Sequence, residues 1–262
     1  MGVVNVTPDS FSDGGRWVDA AAAIAHGRAL AAEGAAILDI GGESTRPGSA
    51  PVPADEEAAR VVPVIAGLAG SGARLSIDTT KASVAAAALD AGATYVNDVT
   101  ALRADPELVG LVADRGCACC LMHMQGEPRT MQDAPRYTDV VDEVRAFLEE
   151  RVAFAVAHGV AEDRIQVDPG IGFGKTAEHN LQLLARLDEL VALGFPVVVG
   201  TSRKSFLGRI TGRTDPADRL PATIATNVLA FTRGARVFRV HDVAPARDAL
   251  LVAAATLRAH GA

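Results

Sequence analysis

Eight short β-rich runs alternate with longer Ala/Leu-rich stretches of helical spacing. The β-rich runs are apolar throughout, and nearly every one ends in a polar side chain. These three observations predict an α/β chain folded as a (β/α)8 TIM barrel, with its active site at the C-terminal ends of the strands. Apolar runs are expected of parallel strands whose faces are covered on both sides. An open doubly wound sheet is the competing architecture, but no GxGxxG follows the first run. No linker or shift in composition divides residues 1–262, so a single domain is expected.

The strands are read at GVVNV (2–6), AILDIG (36–41), RLSID (74–78), TYVND (94–98), CACCLM (117–122), RIQVD (164–168), FPVVVG (195–200) and RVFRV (236–240). Helical spacing covers 19–33, 54–70, 81–91, 105–116, 138–158, 178–193, 217–233 and 244–258. Asp105-Pro106 and Asp215-Pro216 are suited to cap and start the fourth and seventh of these. Gly34, Gly92, Gly116, Gly159, Gly194 and Gly234 each follow a helix, where a left-handed cap is wanted.

Composition narrows the function. Net charge is −7, with 32 acidic against 25 basic residues, so the chain lacks the basic surplus of a nucleic-acid binder. Arginine dominates the basic residues, and only Lys81, Lys175 and Lys204 are lysine. At those places a compact point charge is expected to matter, since arginine is a planar fork. Cys117, Cys119 and Cys120 share one strand, where neighbours face opposite ways, so they are expected to be buried thiols. No apolar stretch reaches the ~18 residues of a membrane-spanning helix. No signal peptide opens the chain, and a reducing cytoplasm fits this pattern.

The strand ends carry Asn5, Asp39, Asp78, Asn97 and Asp98, His123, Asp168, Ser202, and Arg239 with His241. Helix caps account for two or three of them, not for all. The loops 7–15 and 42–51 are long for βα connections and offer hydroxyls, Asp9, Asp13 and Arg46, as a cover over a ligand would. Asp78, Asn97, Asp168 and Lys204 suit a flat heterocycle with an amidine-like edge, because carboxylates accept from paired N–H groups and an amide does both. Divalent metal and buried structural pairing are the other readings of that set. Phe173, between two glycines in DPGIGFGK (168–175), is placed to wall a pocket. GTSRKSF (200–206) and RVHD (239–242) close the last two strands, where such barrels commonly hold phosphate. His26, His158, His179 and His260 fall on helices and read as solvated or capping.

Taken in order, MGVVNVTPDSFSDGG, DIGGESTRPG, SIDT, VNDV, MHMQG, DPGIGFGK, GTSRKSF and RVHDV resemble the dihydropteroate synthase family, over residues 1 to about 245. The resemblance implies condensation of (7,8-dihydropterin-6-yl)methyl diphosphate with 4-aminobenzoate, giving 7,8-dihydropteroate and pyrophosphate. It implies Mg²⁺ as cofactor, with Asn5 matching the metal ligand. Asp78, Asn97, Asp168 and Lys204 match pterin-binding positions. Thr45 and Arg46 match the loop that touches the diphosphate and the second substrate. Arg239 and His241 match the diphosphate site, with Arg239 also stacking on the pterin. Pro47, Phe173 and Ser205 match the aminobenzoate pocket, and Phe11, Ser12 and Asp13 match the part of the first loop that orders over product pyrophosphate. Asp78, Lys204, Arg239 and His241 are expected to be catalytic. Small molecules are the implied partners, with a homodimer through the last helices compatible with the apolar face of 244–258.

Two other readings compete. A pterin-dependent methyltransferase-like barrel would share the Asp and Asn positions but has no use for a diphosphate site. A paralogue that binds ligand or a partner without turnover would keep every motif. Met1 opens directly on the first strand, where family members usually carry a few residues covering the barrel bottom.

Overall fold

A computed structural model describes residues 1–7, 20–44 and 49–260, with the side chain of His260 left out. Its strands are β1 (Gly2–Asn5), β2 (Ile37–Gly41), β3 (Arg74–Asp78), β4 (Tyr95–Asp98), β5 (Ala118–Met122), β6 (Ile165–Asp168), β7 (Val198–Val199) and β8 (Val237–Phe238). The helices are α1 (Ala20–Ala32), α2 (Ala54–Leu68), α3 (Ala82–Asp90), α4 (Glu107–Arg115), α5 (Val140–Ala157), α6 (Ala177–Ala185), α7 (Leu187–Val191), α8 (Ser205–Thr211), α9 (Leu220–Thr232) and α10 (Val243–His260). All eight expected strands form.

β1 to β6 pair in parallel and in sequence order, and β7 pairs in parallel with β8. The two ladders join into one ring. Val167 bridges Val197 in parallel, and Gly2 bridges Val240 in parallel. Val3 N donates to Val240 O at 3.0 Å, and Val240 N donates to Met1 O at 2.9 Å. Closure removes both sheet edges, which is how a barrel satisfies its outer strands.

β7 and β8 are shorter than the runs 195–200 and 236–240 led one to expect. Arg236 N and Val237 N both donate to Val197 O, each at 3.2 Å, so two residues share one acceptor and the regular ladder is broken there. The expected helix 178–193 is also divided. Arg186 stands between α6 and α7 with φ −113° and ψ 29°. Its guanidinium reaches Glu189 at 2.7 Å and Asp139, the N-cap of α5, at 2.7 Å, which pins the break.

Local signals did their work. The six expected glycine caps all have positive φ, from 56° at Gly116 to 115° at Gly92. Asp105 accepts from Glu107 N at the start of α4 and from Ala82 N at the start of α3, so one carboxylate caps two helices. His179 serves the capping box of α6, accepting from Thr176 N through Nδ1. Cys117, Cys119 and Cys120 are buried free thiols, and burial raises the pKa of all three.

The strand residues divide strictly by parity. Leu38, Ile40, Leu75, Ile77, Val96, Cys119, Leu121, Ile165, Val167 and Val199 belong to the large core between sheet and helices. Their sequence neighbours face the barrel axis. Low in the barrel, Tyr95, Ala118, Cys120 and Val198 fill the interior, and the Tyr95 hydroxyl donates to Gln166 at 2.8 Å. Nearer the mouth the inward positions are polar: Asp39, Ser76, Asp78, Asn97 and Asp168. The strands are thus not apolar throughout. Only their outward half is, because only that half is sealed by helices; the exception is Asp98 at the end of β4, fully buried and accepting from Thr100 N and Leu102 N, each at 2.7 Å.

Candidate active site

The centre of the site is a buried carboxylate that collects three donors. Asp39, on β2, is fully buried. It accepts from Ser76 Oγ at 2.6 Å and Asn97 Nδ2 at 3.1 Å, from the two next strands, and from Arg239 Nε at 2.6 Å. The other end of the Arg239 fork donates to Asp78 Oδ2 at 2.7 Å. A planar guanidinium can hold two carboxylates at a fixed spacing, which an ammonium could not. Burial pushes the Asp78 carboxyl up to about 7, with Arg239 opposing and Asp39 adding to the rise. The carboxylates hold the Arg239 guanidinium above its ordinary value despite burial.

Asp168 ends β6 on the opposite side of the mouth and accepts from Gly170 N at 2.6 Å. Burial raises its pKa, against the pull of Lys204. Lys204 follows β7 and is lowered to about 8 by burial, partly offset by Asp168. Its ammonium donates to Ile171 O and lies 4.7 Å from the centre of the Phe173 ring. Phe173 therefore stands beside the cation that the sequence assigned to the heterocycle.

The β6 loop can lie this close only because of its glycines. Gly170 and Gly174 have φ of 66° and 61°. A Cβ at Gly170 would fall on the carbonyl oxygen of His123, and one at Gly174 on that of Gln125. Both the left-handed backbone and the close approach require glycine.

The last two loops are tied to one another. Arg203 grips Asp242 with two hydrogen bonds, at 3.0 and 2.6 Å, and itself has φ 59°. Ser202 Oγ meets His241 Nδ1 at 2.9 Å and accepts from His241 N at 3.2 Å. Ser205 is the exposed first residue of α8. Asn5 ends β1, half-buried, in register with Gly41 of β2. Thr45, Arg46 and Pro47, with Phe11, Ser12 and Asp13, lie outside the described residues.

Asn97 and Arg239 thus meet on Asp39, and Asp78 joins them through Arg239, while Asp168, Lys204 and Phe173 form a second group across the mouth. His241 and Ser205 stand on the rim of the last two loops. Sequence reasoning noted Asp39 among the strand ends but gave it no role. Its signal is a carboxylate in the middle of ILDIG, where a buried charge needs a partner. Ser202 and the Arg203–Asp242 pair also went unassigned.

Among the described residues no three His, Cys, Asp or Glu side chains are grouped to hold a metal ion. Asn5 nevertheless suits one cation. Mg²⁺ takes oxygen ligands, keeps several waters and is bound by only one or two protein ligands, most often carboxylates, plus substrate phosphates. A single amide oxygen at the mouth fits that pattern. It would not fit a metal needing a full protein cage.

The pterin binding enzyme family matches residues 1–241. The dihydropteroate synthase of Mycobacterium leprae is 51% identical over 265 residues, covering 99% of this chain and 93% of its own length. The structure of the Xanthomonas albilineans dihydropteroate synthase with 4-aminobenzoic acid superposes with a TM-score of 0.92 at 51% identity, covering 98% of this chain and 92% of that one. The same enzyme in complex with 7,8-dihydropteroate gives 0.89 at 48% identity, over 98% and 92% of the two chains. The chain belongs to the dihydropteroate synthase family of pterin-binding enzymes.

Proposed function

We propose that this single barrel domain, residues 1–262, condenses (7,8-dihydropterin-6-yl)methyl diphosphate with 4-aminobenzoate to give 7,8-dihydropteroate and pyrophosphate. The observation that carries the reading is the Arg239 fork held between Asp39 and Asp78, with Asn97 on the same carboxylate and Asp168 and Lys204 opposite. Few ligands need acceptors, an amide and cations around one flat opening. A pterin diphosphate does.

Asp168 accepts from the amino-pyrimidine edge of the pterin, Asn97 both donates and accepts, and Lys204 donates to the ring. Bond breaking between the methylene carbon and the diphosphate oxygen precedes attack, leaving a pterin-methyl cation beside Asp78. Arg239 and His241 stabilise the charge that moves onto the diphosphate, a preorganised electrostatic effect. Thr45 and Arg46 reach the diphosphate and the second substrate. The amine nitrogen of 4-aminobenzoate then bonds to the methylene carbon and gives up a proton. Pro47 and Phe173 wall its ring, and Ser205 meets its carboxylate. Phe11, Ser12 and Asp13 close over the product pyrophosphate. Asn5 would hold Mg²⁺ against the diphosphate, where the ion would supply charge neutralisation to the leaving group.

The chain works in the cytoplasm, where its buried free thiols Cys117, Cys119 and Cys120 would stay reduced. Among the described residues no helix is long and apolar enough to cross a membrane. It pairs with a second copy through its last helices, where Leu229, Leu251, Val252 and Leu257 are exposed.

Purified protein given both substrates and Mg²⁺ is expected to release pyrophosphate and form dihydropteroate in equal amounts. Binding without release would overturn the reading in favour of a paralogue without turnover. Methyl transfer from a methylated pterin would place the chain with the methyltransferase-like barrels.

A further inference from the structure

From Gly170 to Gly174, each successive carbonyl oxygen of the β6 loop has its own donor. Gly170 O accepts from Phe173 N at 3.0 Å. Ile171 O accepts from Lys204 Nζ, and Gly172 O from Gln132 Nε2 at 2.6 Å. Phe173 O accepts from Lys175 Nζ at 3.0 Å, and Gly174 O from the Tyr137 hydroxyl at 2.8 Å. The amides are held too: Gly172 N donates to Asn180 Oδ1 at 2.7 Å.

Lys175 is unusual among these donors. It is 3% exposed, its ammonium lies 2.8 Å from His123 Nδ1, and among the described residues it forms no ion pair with a carboxylate. Burial holds it well below its ordinary pKa. A buried lysine with no carboxylate in contact is costly, Asp168 acting on it only at longer range, and an apolar chain of the same length would pack there at lower cost. What the lysine provides and methionine could not is a tie between His123, at Nδ1 and at its carbonyl 3.5 Å away, and the Phe173 carbonyl, to which it donates at 3.0 Å. Tyr137 acts one residue further on, its ring set edge-on against His179 at 5.0 Å. Neither Lys175 nor Tyr137 is among the pterin or diphosphate contacts assigned above.

Three glycines in the left-handed region give this turn little conformational preference of its own. The Phe173 side chain is carried on it. The ring goes where the carbonyl anchors put the backbone.

We propose that Lys175 and Tyr137 are positioning residues for the arylamine pocket, fixing the adjacent carbonyls of Phe173 and Gly174 and so setting affinity for the second substrate. The proposal rests on the reading of Phe173 as a wall of that pocket.

Lys175→Met and Tyr137→Phe test it, with Phe173→Ala as the control. Lys175→Met is expected to raise KM for 4-aminobenzoate about tenfold and Tyr137→Phe about threefold, with kcat and the KM for the pterin diphosphate within about twofold. In a Phe173→Ala background both effects should shrink below about twofold, because the group being positioned is gone. Unchanged KM for 4-aminobenzoate in both variants overturns the proposal. Equal losses for both substrates overturn it as well, since they would mark a general structural role. If Lys175→Met fails to fold, Tyr137→Phe decides alone, as it removes one hydroxyl from a half-buried ring. Phe173→Ala leaving KM for 4-aminobenzoate unchanged would instead refute the placement of the pocket.

Discussion

The outward and inward faces of the same strands have opposite chemistry. Leu38 and Ile40 face the helices, while Asp39 between them faces the axis and collects three donors. Leu75 and Ile77 flank Ser76 in the same way, and Val96 precedes Asn97. One residue of register separates a side chain packed into the outer core from one that faces the barrel axis. The outer face is sealed by helices and is filled by apolar volume, except at Asp98, whose carboxylate is taken up by Thr100 and Leu102. The inner face is filled by Tyr95, Ala118, Cys120 and Val198 low in the barrel and opens at the mouth, where polar groups can be matched by a ligand. Stability and function are therefore expected to separate by parity.

The largest effect should come from the outer face. Leu38→Ala removes a fully buried side chain and is expected to cost about 2–5 kcal/mol, read from denaturant unfolding. The molecules that remain folded should bind a pterin as before. Loss of ligand affinity in the folded fraction would break the division.

Asp168→Asn, on the inner face, should do the reverse. It replaces one acceptor oxygen by a donor that confronts the ligand's own N–H groups, at about 1–3 kcal/mol in pterin affinity by calorimetry. The melting temperature should move little, since Asn keeps the acceptor for Gly170 N. A variant that melts as low as Leu38→Ala would make Asp168 a structural group.

The mildest test is titration. On the proposed reading Asp78 serves a pterin cation as a charged acceptor, which protonation would neutralise and turn partly into a donor. Burial lifts its pKa from the ordinary 3.8 to about 7. Affinity for a pterin should fall toward a tenfold loss per pH unit below about 7, each unit being about 1.4 kcal/mol. Lys204, lowered to about 8, should give a second loss on the alkaline side. For Asp78 the folded state keeps its proton to higher pH than the unfolded chain, so its contribution to stability declines as pH rises from 3.8 to about 7. Asp78→Asn should abolish the acid limb and that decline together. An acid limb that survives the substitution would assign it to another group.

Much of the architecture was legible because its causes are local. Gly34, Gly92, Gly116, Gly159, Gly194 and Gly234 end helices by adopting a backbone that other residues resist, and this needs no knowledge of what lies across the barrel. Strand ends were legible for the same reason: a polar side chain terminates an apolar run. The division of 178–193 at Arg186 was not, because its guanidinium answers to Asp139, 47 residues earlier.

The sequence by itself determined the eight β/α units, their order, and the acids, amides and cations placed at the strand ends. It determined these because periodicity, capping and turn chemistry act over a few residues. Only the tertiary structure decided which strand residue faces the axis, that Asp39 binds an arginine 200 positions away, and that the Phe173 loop is held by a lysine and a tyrosine. Those facts arise from closure of the ring. Closure brings β8 beside β1 and forces each buried polar group to find its partner wherever the barrel has put one.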